Sequence, residues 1–222
     1  ERRAFAKAAR DVPQEFVGDE AHRGDMVWSA AVPEELRSRA TAVIGNFPVS
    51  QASQYTRLEW LQTFSAGVDA YICPGVLPRG TMVTNASGAY GQSVSEHMFA
   101  TMWALVKNLN RYASNQRDHQ WQDEGPVLSP EGGIALIIGV GDIGSHFAQL
   151  AQSVGMRTFG VRRHADVPAK GIEKMYGFER LETLLPLADV VAMAVPRSPQ
   201  THHLLNADRL GRLKIIAIRD LI

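Results

Sequence analysis

Three glycines, Gly139, Gly141 and Gly144, are spaced as G-x-G-x-x-G, a pattern that can bind a phosphate group. The pattern begins at the end of the apolar strand predicted at 134–140 and opens an amphipathic helix, which is the strand-turn-helix context that a dinucleotide site requires. Glycine permits the tight turn and lets the backbone approach a pyrophosphate, and the free N–H groups at the helix start attract the anion. The pattern predicts a phosphate-binding turn, with a purely structural strand-to-helix turn as the alternative.

The residues that would select between NAD and NADP are two arginines. In an NAD site, an acidic residue about 20 residues beyond the first glycine binds the ribose 2′-hydroxyl. Arg162 and Arg163 occupy that stretch here, and no Asp or Glu stands between Gly144 and Asp166. A guanidinium binds a 2′-phosphate by charge-assisted hydrogen bonds, whereas a carboxylate would repel it. We therefore expect NADP(H) as the preferred cofactor and NAD(H) as a possible one; a solvated basic surface turn is the alternative.

The elements that would position this turn alternate between apolar strands, glycine-rich loops and helices. The second half of the chain has the order strand, helix, strand, helix, strand, which is the mononucleotide-binding half of a doubly wound sheet. We therefore predict an α/β protein with a Rossmann-type doubly wound parallel sheet that is incomplete toward the C-terminus. Strands are predicted at 41–47, 58–64, 81–85, 134–140, 156–161, 189–195 and 215–218, and helices at 34–40, 142–155, 181–188 and 206–213.

A long apolar helix is predicted from Ser93 to Arg111. The sequence SVSE offers a capping box, in which Ser93 caps the helix and Glu96 bonds back to it. Apolar residues cover a wide arc of this helix, so we expect it to be buried on more than one side, between two domains, in a subunit interface, or in both. We place the domain boundary between residues 92 and 93, and a homodimer contact on this helix and on Trp121 just beyond it.

The composition is that of an ordinary globular protein and does not indicate a nucleic-acid or membrane partner. Basic and acidic side chains number 23 each, so no net charge points to nucleic acid or to a membrane surface. No apolar run approaches the roughly 18 residues that span a bilayer. Cys73 is the single cysteine of this sequence, which argues against an intrachain disulfide and a thiolate metal cluster. We therefore expect a cytoplasmic protein with no metal site, no nucleic-acid partner and no membrane association.

In combination, these segments resemble the D-isomer-specific 2-hydroxyacid dehydrogenase family, which includes glyoxylate/hydroxypyruvate reductases and phosphoglycerate dehydrogenases. LQTFSAGVD is similar to the first substrate loop of that family, TNASGAYGQSVSEHMFA to the segment that crosses between its domains, and GVGDIGSHFAQLAQSVGMRTFGVRR to its cofactor turn. The resemblance implies a smaller flavodoxin-like α/β substrate domain, with its N-terminal portion at 1–92. Residues 93–222 would then form the dinucleotide-binding domain without its C-terminal part.

The resemblance also implies an activity and a set of site residues. The activity is hydride transfer between the nicotinamide and C2 of a small 2-keto or 2-hydroxy acid. Backbone amides of Ser65, Ala66 and Gly67 would hold the substrate carboxylate, as a group of N–H donors can, and Tyr90 would cover the substrate or the domain cleft. Without the family, the first loop would be a structural turn and Tyr90 equally a packing residue. The cofactor would contact Gly139, Gly141, Asp142, Ile143, Gly144, Arg162, Arg163, Val195, Pro196 and Thr201.

The catalytic arginine that the resemblance implies is Arg219. In the family it lies in a pattern close to Asn-x-Gly-Arg-Gly-Asp, and Arg219 and Asp220 fit that pattern without its glycines. Its guanidinium would orient the carboxylate and polarise the keto oxygen; a surface arginine is the alternative. The general acid of the family, a histidine tuned by a glutamate, lies downstream, where only Leu221 and Ile222 follow. We therefore expect further C-terminal residues, and an inactive protein if the chain ends at Ile222.

Two other functions fit the same sequence features. The fold also resembles that of transcriptional corepressors, so the chain could be a dinucleotide-sensing interaction protein, or an inactive relative. The SAGVD loop and the Arg219–Asp220 pair favour a substrate site over a peptide-docking surface. We therefore favour an NADP(H)-dependent oxidoreductase that acts on a small 2-keto acid.

Overall fold

The structure of the protein is a computed structural model that describes residues 2–18 and 30–214. The chain divides into two compact units, Glu1–Ala86 and Ser87–Ile222. This division lies between Ala86 and Ser87, whereas the domain boundary expected from the sequence follows residue 92. The strand predicted at 215–218 lies outside the described residues.

The first unit is built on a three-stranded parallel sheet. Helices α1 (Arg2–Ala8) and α2 (Glu34–Arg37) precede strands β1 (Ala42–Ile44), β2 (Trp60–Gln62) and β3 (Met82–Thr84). The strands pair in the order β1-β2-β3, and each lies inside a segment that was predicted as a strand. Parallel pairing with intervening helical connections is typical of α/β proteins.

An aromatic cluster forms the core of the first unit. Phe47 and Tyr55 stack with ring centroids 4.3 Å apart, and Tyr71 meets Phe47 edge-on. The Tyr71 hydroxyl donates to the Phe47 carbonyl oxygen at 2.6 Å and accepts the Phe47 N–H at 3.1 Å. Burial raises the pKa of Tyr55 to about 12 and also raises the pKa of Tyr71, so both phenols are neutral at physiological pH. Because Phe47 and Tyr55 precede β2 and Tyr71 follows it, the cluster ties the loop that leaves β2 to the segment between β1 and β2.

The second unit contains a four-stranded parallel sheet of the Rossmann type. Its elements are α3 (Gly91–Val106), α4 (Leu109–Arg117), β4 (Ile134–Ile138), α5 (Asp142–Ser153), β5 (Arg157–Val161), β6 (Lys174–Tyr176), α6 (Leu181–Leu184), β7 (Val190–Met193) and α7 (Ala207–Gly211). The strand order is β6-β5-β4-β7, so the chain moves outward from β4 and then returns to its other side. This order is that of one half of a doubly wound sheet, and the predicted fold class is confirmed.

Strand β4 is buried on both faces, as its unbroken apolar run predicts. Ala135 and Ile137 belong to the core that includes residues of α3 and α5, and Leu136 and Ile138 belong to the core that includes residues of α6. All four side chains are fully buried. This double-sided packing fixes the carboxyl end of β4, where the glycine turn begins.

The predicted long helix is shorter than expected and begins differently. It starts at Gly91 with Tyr90 as the N-cap, and the Ser93 hydroxyl donates to the Tyr90 carbonyl oxygen at 3.4 Å, so the capping box predicted at Ser93 and Glu96 is wrong. The helix ends at Val106 because Asn108 adopts a left-handed conformation with φ of 54°, and α4 follows as a separate helix. Among the described residues, no helix combines the length and apolar character that a membrane span requires.

Candidate functional site

The glycine turn that joins β4 to α5 begins at a position that only glycine can occupy. Gly139 has a φ of +93°, in the left-handed region that L side chains rarely adopt. A Cβ at this position would also collide with the Ala194 carbonyl group and lie 2.8 Å from the Val195 side chain. The turn is therefore held closely against the loop that follows β7.

The start of α5 approaches the turn closely and leaves open space in front of it. A Cβ at Gly144 would overlap the carbonyl oxygen of Gly139, whereas a Cβ at Gly141, the N-cap residue, would meet nothing within 4 Å. The first helical hydrogen bond runs from the Ser145 N–H to the Gly141 oxygen at 3.0 Å. The N–H groups of residues 142–144 precede that bond and lack helical partners. This arrangement fits the diphosphate of a dinucleotide.

Asp142 and Ile143 lie in the first turn of α5, as expected for residues of the phosphate-binding turn. The Asp142 side chain is directed toward Gly91, where its carboxyl atoms occupy the place of the missing Cβ. Its Oδ1 also lies 3.3 Å from Nδ1 of His146. In the part of the chain that the structure describes, no group of three or more His, Cys, Asp or Glu side chains is placed to hold a metal ion.

Arg162 directs its guanidinium back onto the backbone. Nε donates to the His164 carbonyl oxygen at 2.8 Å, Nη1 to the Val140 oxygen at 3.3 Å, and Nη2 to the Val167 oxygen. The side chain is half-buried. Arg162 therefore ties the loop after β5 to the glycine turn, and its hydrogen-bonding capacity is largely used within the protein.

Arg163, in contrast, is exposed and has no hydrogen-bond or ion-pair partner among the described residues. It borders a depression of about 340 Å³, together with Arg162, His164 and Val167. A free guanidinium at the carboxyl end of the second strand of the sheet is placed as a 2′-phosphate ligand would be. The two arginines that look alike in the sequence thus have different surroundings.

The loop after β7 carries the other predicted cofactor residues, Val195, Pro196 and Thr201. Val195 packs against the apolar core and lies next to Gly139. The Thr201 hydroxyl donates to the Pro196 oxygen at 2.6 Å and accepts the Ser198 N–H at 2.8 Å. Thr201 therefore fixes the shape of the loop, and Val195 brings it to the glycine turn.

In the loop that follows β2, the carbonyl groups of residues 65–67 are bonded, and their amides have no partner among the described residues. The carbonyl oxygens of Ser65, Ala66 and Gly67 each accept a hydrogen bond from within the first unit, at 2.7 to 3.1 Å. No described group accepts the N–H of any of these three residues. Ser65 is half-buried, and the other two are exposed. Three adjacent free amides are suited to a carboxylate.

Two polar residues that the sequence interpretation did not identify hold this loop. The Thr63 hydroxyl donates to the Ser65 oxygen at 2.8 Å, and Nδ2 of Asn85 donates to the Ala66 oxygen at 2.7 Å. Each directly follows a strand, β2 for Thr63 and β3 for Asn85. The carboxyl ends of neighbouring parallel strands meet at one edge of a sheet. The position of both residues directly after a strand could therefore have identified them from the sequence.

The remaining predicted site residues are Tyr90 and Arg219. Tyr90 caps α3, its side chain is partly exposed, and its carbonyl oxygen accepts the Val94 N–H at 3.0 Å. It belongs to the second unit, whereas Ser65 to Gly67 belong to the first. Arg219 lies outside the described residues.

Comparison with protein families gives one match, which covers most of the second unit. A sequence model of the D-isomer specific 2-hydroxyacid dehydrogenase NAD-binding domain matches residues 99–218. This segment is more than half of the 222-residue sequence. It includes the glycine turn, both arginines and the loop after β7.

Individual proteins are similar to a larger part of the chain. A glycerate dehydrogenase from Methylorubrum extorquens is 26% identical over 196 residues, which cover 84% of this chain and 60% of the relative. A glyoxylate reductase from Thermofilum pendens is 28% identical over 166 residues, covering 71% of this chain and 48% of the relative. A crystal structure of a D-isomer specific 2-hydroxyacid dehydrogenase family protein from Aeromonas salmonicida has a TM-score of 0.73 at 29% identity, covering 83% of this chain and 59% of that one. The chain therefore spans between 48% and 60% of the length of these proteins.

Proposed function

Because the chain belongs to the D-isomer specific 2-hydroxyacid dehydrogenase family, we propose that the full-length protein transfers a hydride between NADP(H) and C2 of a small 2-keto or 2-hydroxy acid. The observation that carries the proposal is the presence, in one chain, of an open dinucleotide turn at 139–144 and three free amides at 65–67. The turn suits a diphosphate, and the amides suit a carboxylate. When bound, the nicotinamide supplies or accepts the hydride.

Residues of the second unit would bind and orient the dinucleotide. The N–H groups at the start of α5 would hold the diphosphate, and Arg163 would bind the 2′-phosphate of NADP(H). Arg162 would keep the loop after β5 in place, and Val195 would border the adenosine half. NADP(H) is then the preferred cofactor and NAD(H) the weaker one, because a free 2′-hydroxyl leaves Arg163 without a charged partner.

The loop 65–67 of the first unit would contribute to substrate binding. The amides from Ser65 to Gly67 would hold its carboxylate, Tyr90 would cover it, and Arg219 would orient it and polarise the keto oxygen. We accordingly assign residues 1–92 to the substrate domain and 93–222 to the dinucleotide-binding domain.

Turnover with a panel of 2-keto acids tests the proposed activity. We expect the full-length protein to oxidise NADPH with glyoxylate, hydroxypyruvate or pyruvate. Ser65→Ala should raise the KM for the keto acid about fivefold, because the loop loses the bond from the Ser65 hydroxyl to the Gly67 oxygen. The kcat and the Kd for NADPH should change by less than about twofold, since neither depends on this hydrogen bond. Initial rates from NADPH absorbance give the KM and the kcat, and fluorescence titration gives the Kd for NADPH.

Ser153→Ala is the matched control for the loop variant. Its hydroxyl also donates to a backbone carbonyl oxygen, that of Leu150, but at the end of α5, so the KM should stay at the wild-type value. If the full-length protein binds NADPH but turns over no keto acid, the enzyme proposal fails. That result would favour a dinucleotide-sensing interaction protein or an inactive relative.

The homodimer contact that we propose consists of the helical segment 93–111 and of Trp121 just beyond it. Trp121 is fully exposed, and Leu109 is 51% exposed. Buried aromatic residues commonly dominate interface energies, so Trp121→Ala should raise the dimer dissociation constant about 30-fold. Sedimentation velocity over a concentration series measures it, with Ile72→Ala, an exposed apolar residue of the first unit, as the control. A monomeric wild type, or a dimer that Trp121→Ala leaves intact, would refute this contact.

A further inference from the structure

We propose that the carboxylate of Asp142 limits the affinity of the glycine turn for dinucleotides. The inference rests on the proposed function, because it concerns the turn that would bind the diphosphate. Asp142 acts on that anion in two opposite ways. Its backbone N–H attracts the diphosphate, while its side chain repels it.

The Asp142 carboxylate is held beside the turn by two neighbours. Its carboxyl atoms fill the space that a Cβ on Gly91 would occupy, and Gly91 is the buried first residue of α3. Nδ1 of His146 lies 3.3 Å from Asp142 Oδ1 and 2.8 Å from the Asp142 carbonyl oxygen. With 33% of the side chain exposed, this charge is screened only in part. A negative charge is thus fixed on the first residue of the helix whose N-terminus would receive the diphosphate.

The charges that face this pair are few. Glu96 of α3 lines, together with His146, a cavity of about 190 Å³, and His97, the other titratable residue of α3, does not line it. Helix α5 carries no charged residue apart from Asp142 and the titratable His146. On the side of the sheet, Arg162 donates to the Val140 oxygen and contributes a permanent positive charge. Asp142 is therefore the carboxylate that α5 itself carries in its first turn.

Removal of the Asp142 charge should therefore strengthen dinucleotide binding. The carboxylate and the diphosphate are both negative, so their repulsion opposes the attraction from the N–H groups at the start of α5. Asp142→Asn keeps the shape of the side chain beside Gly91 and removes its charge, so it should tighten the binding of both cofactors.

Equilibrium titration with NADH, followed by NADH fluorescence, tests this inference without any turnover. NADH is the probe because the 2′-phosphate of NADPH would itself titrate, as phosphomonoesters do near pH 6. Asp142→Asn should lower the Kd about tenfold at pH 8. Asp118→Asn, at the exposed end of α4, is the control and should leave the Kd unchanged.

Failure of this inference can be separated from failure of the proposed function. If the wild type binds neither NADH nor NADPH, the proposed function fails. If it binds NADH but Asp142→Asn does not lower the Kd, only this inference is overturned. The melting temperature of each variant without cofactor reports separately on the integrity of the fold.

Discussion

Replacing Arg163 with alanine should weaken NADPH binding about 30-fold and change NADH binding by less than about twofold. The guanidinium is exposed and unpaired among the described residues, so it is available for a phosphate. Hydrogen bonds between a guanidinium and a phosphate are charge-assisted and often bidentate, and NADH has no phosphate at this position. Fluorescence titration of both cofactors at one pH and one salt concentration measures the ratio of their Kd values.

Arg162→Ala is the matched variant, and we expect a different result from it. Three backbone carbonyls, those of Val140, His164 and Val167, would lose their donors. The loop after β5 and the glycine turn would loosen together, so the Kd values of NADPH and NADH should rise by a similar factor, about fivefold. A selective loss of NADPH binding in Arg162→Ala, with Arg163→Ala neutral, would reverse the assignment. Equal or tighter binding of NADH by the wild type would contradict the NADP(H) preference itself.

The different environments of the two arginines could not be predicted from the sequence. Both follow β5, which ends at Val161, and successive side chains in an extended segment point to opposite sides. One side of this segment carries the carbonyl groups of the glycine turn and of the following loop, and the other side faces solvent. Which arginine bonds to those carbonyls depends on the path of residues 164–167, and residue types alone do not determine that path.

The fold could be predicted where a strand has a continuous apolar run. It could not be predicted where tertiary contacts determine the start or end of an element. The run at 134–140 is buried on both sides and gave β4. β6 escaped prediction because it has only three residues, begins with Lys174, and is recognisable only by its pairing with β5. The break after α3 also depends on a distant contact, since the side chain of Asn108 donates to the Glu124 oxygen at 3.2 Å.

The properties of the candidate substrate loop also depend on tertiary contacts, here on the hydrogen bonds of single backbone groups. A free amide is a backbone property, and it depends on which neighbouring groups bond to the carbonyls of the loop. Here Thr63 and Asn85 form two of those bonds, and neither residue type by itself indicates a substrate site. We identified the loop from its resemblance to a family. Its three adjacent amides are the physical reason why it is suited to a carboxylate. The prediction for Arg219 remains a prediction, because that residue lies outside the described range.

Replacing Gly144 with alanine should destabilise the second unit by about 3 kcal/mol and lower its melting temperature by roughly 10 °C. A methyl group at this position would overlap the carbonyl oxygen of Gly139 and lie 3.1 Å from the Ile137 side chain. Neither neighbour can withdraw easily, because Ile137 is fully buried in β4 and Gly139 is held against Ala194. Thermal unfolding followed by circular dichroism measures the change. Loss of soluble protein would agree with the prediction, and wild-type stability would contradict it.

Gly141→Ala separates the stability of the turn from its capacity to bind a cofactor. Its backbone, with φ of −103° and ψ of −150°, is extended and accessible to alanine, and a Cβ there meets nothing within 4 Å. The melting temperature should therefore remain at the wild-type value. The methyl group would nevertheless occupy the space in front of the free N–H groups of α5, and the Kd values of NADPH and NADH should both rise about a hundredfold. Wild-type affinity in Gly141→Ala would show that the diphosphate does not bind at this turn, whatever Gly144→Ala does to stability.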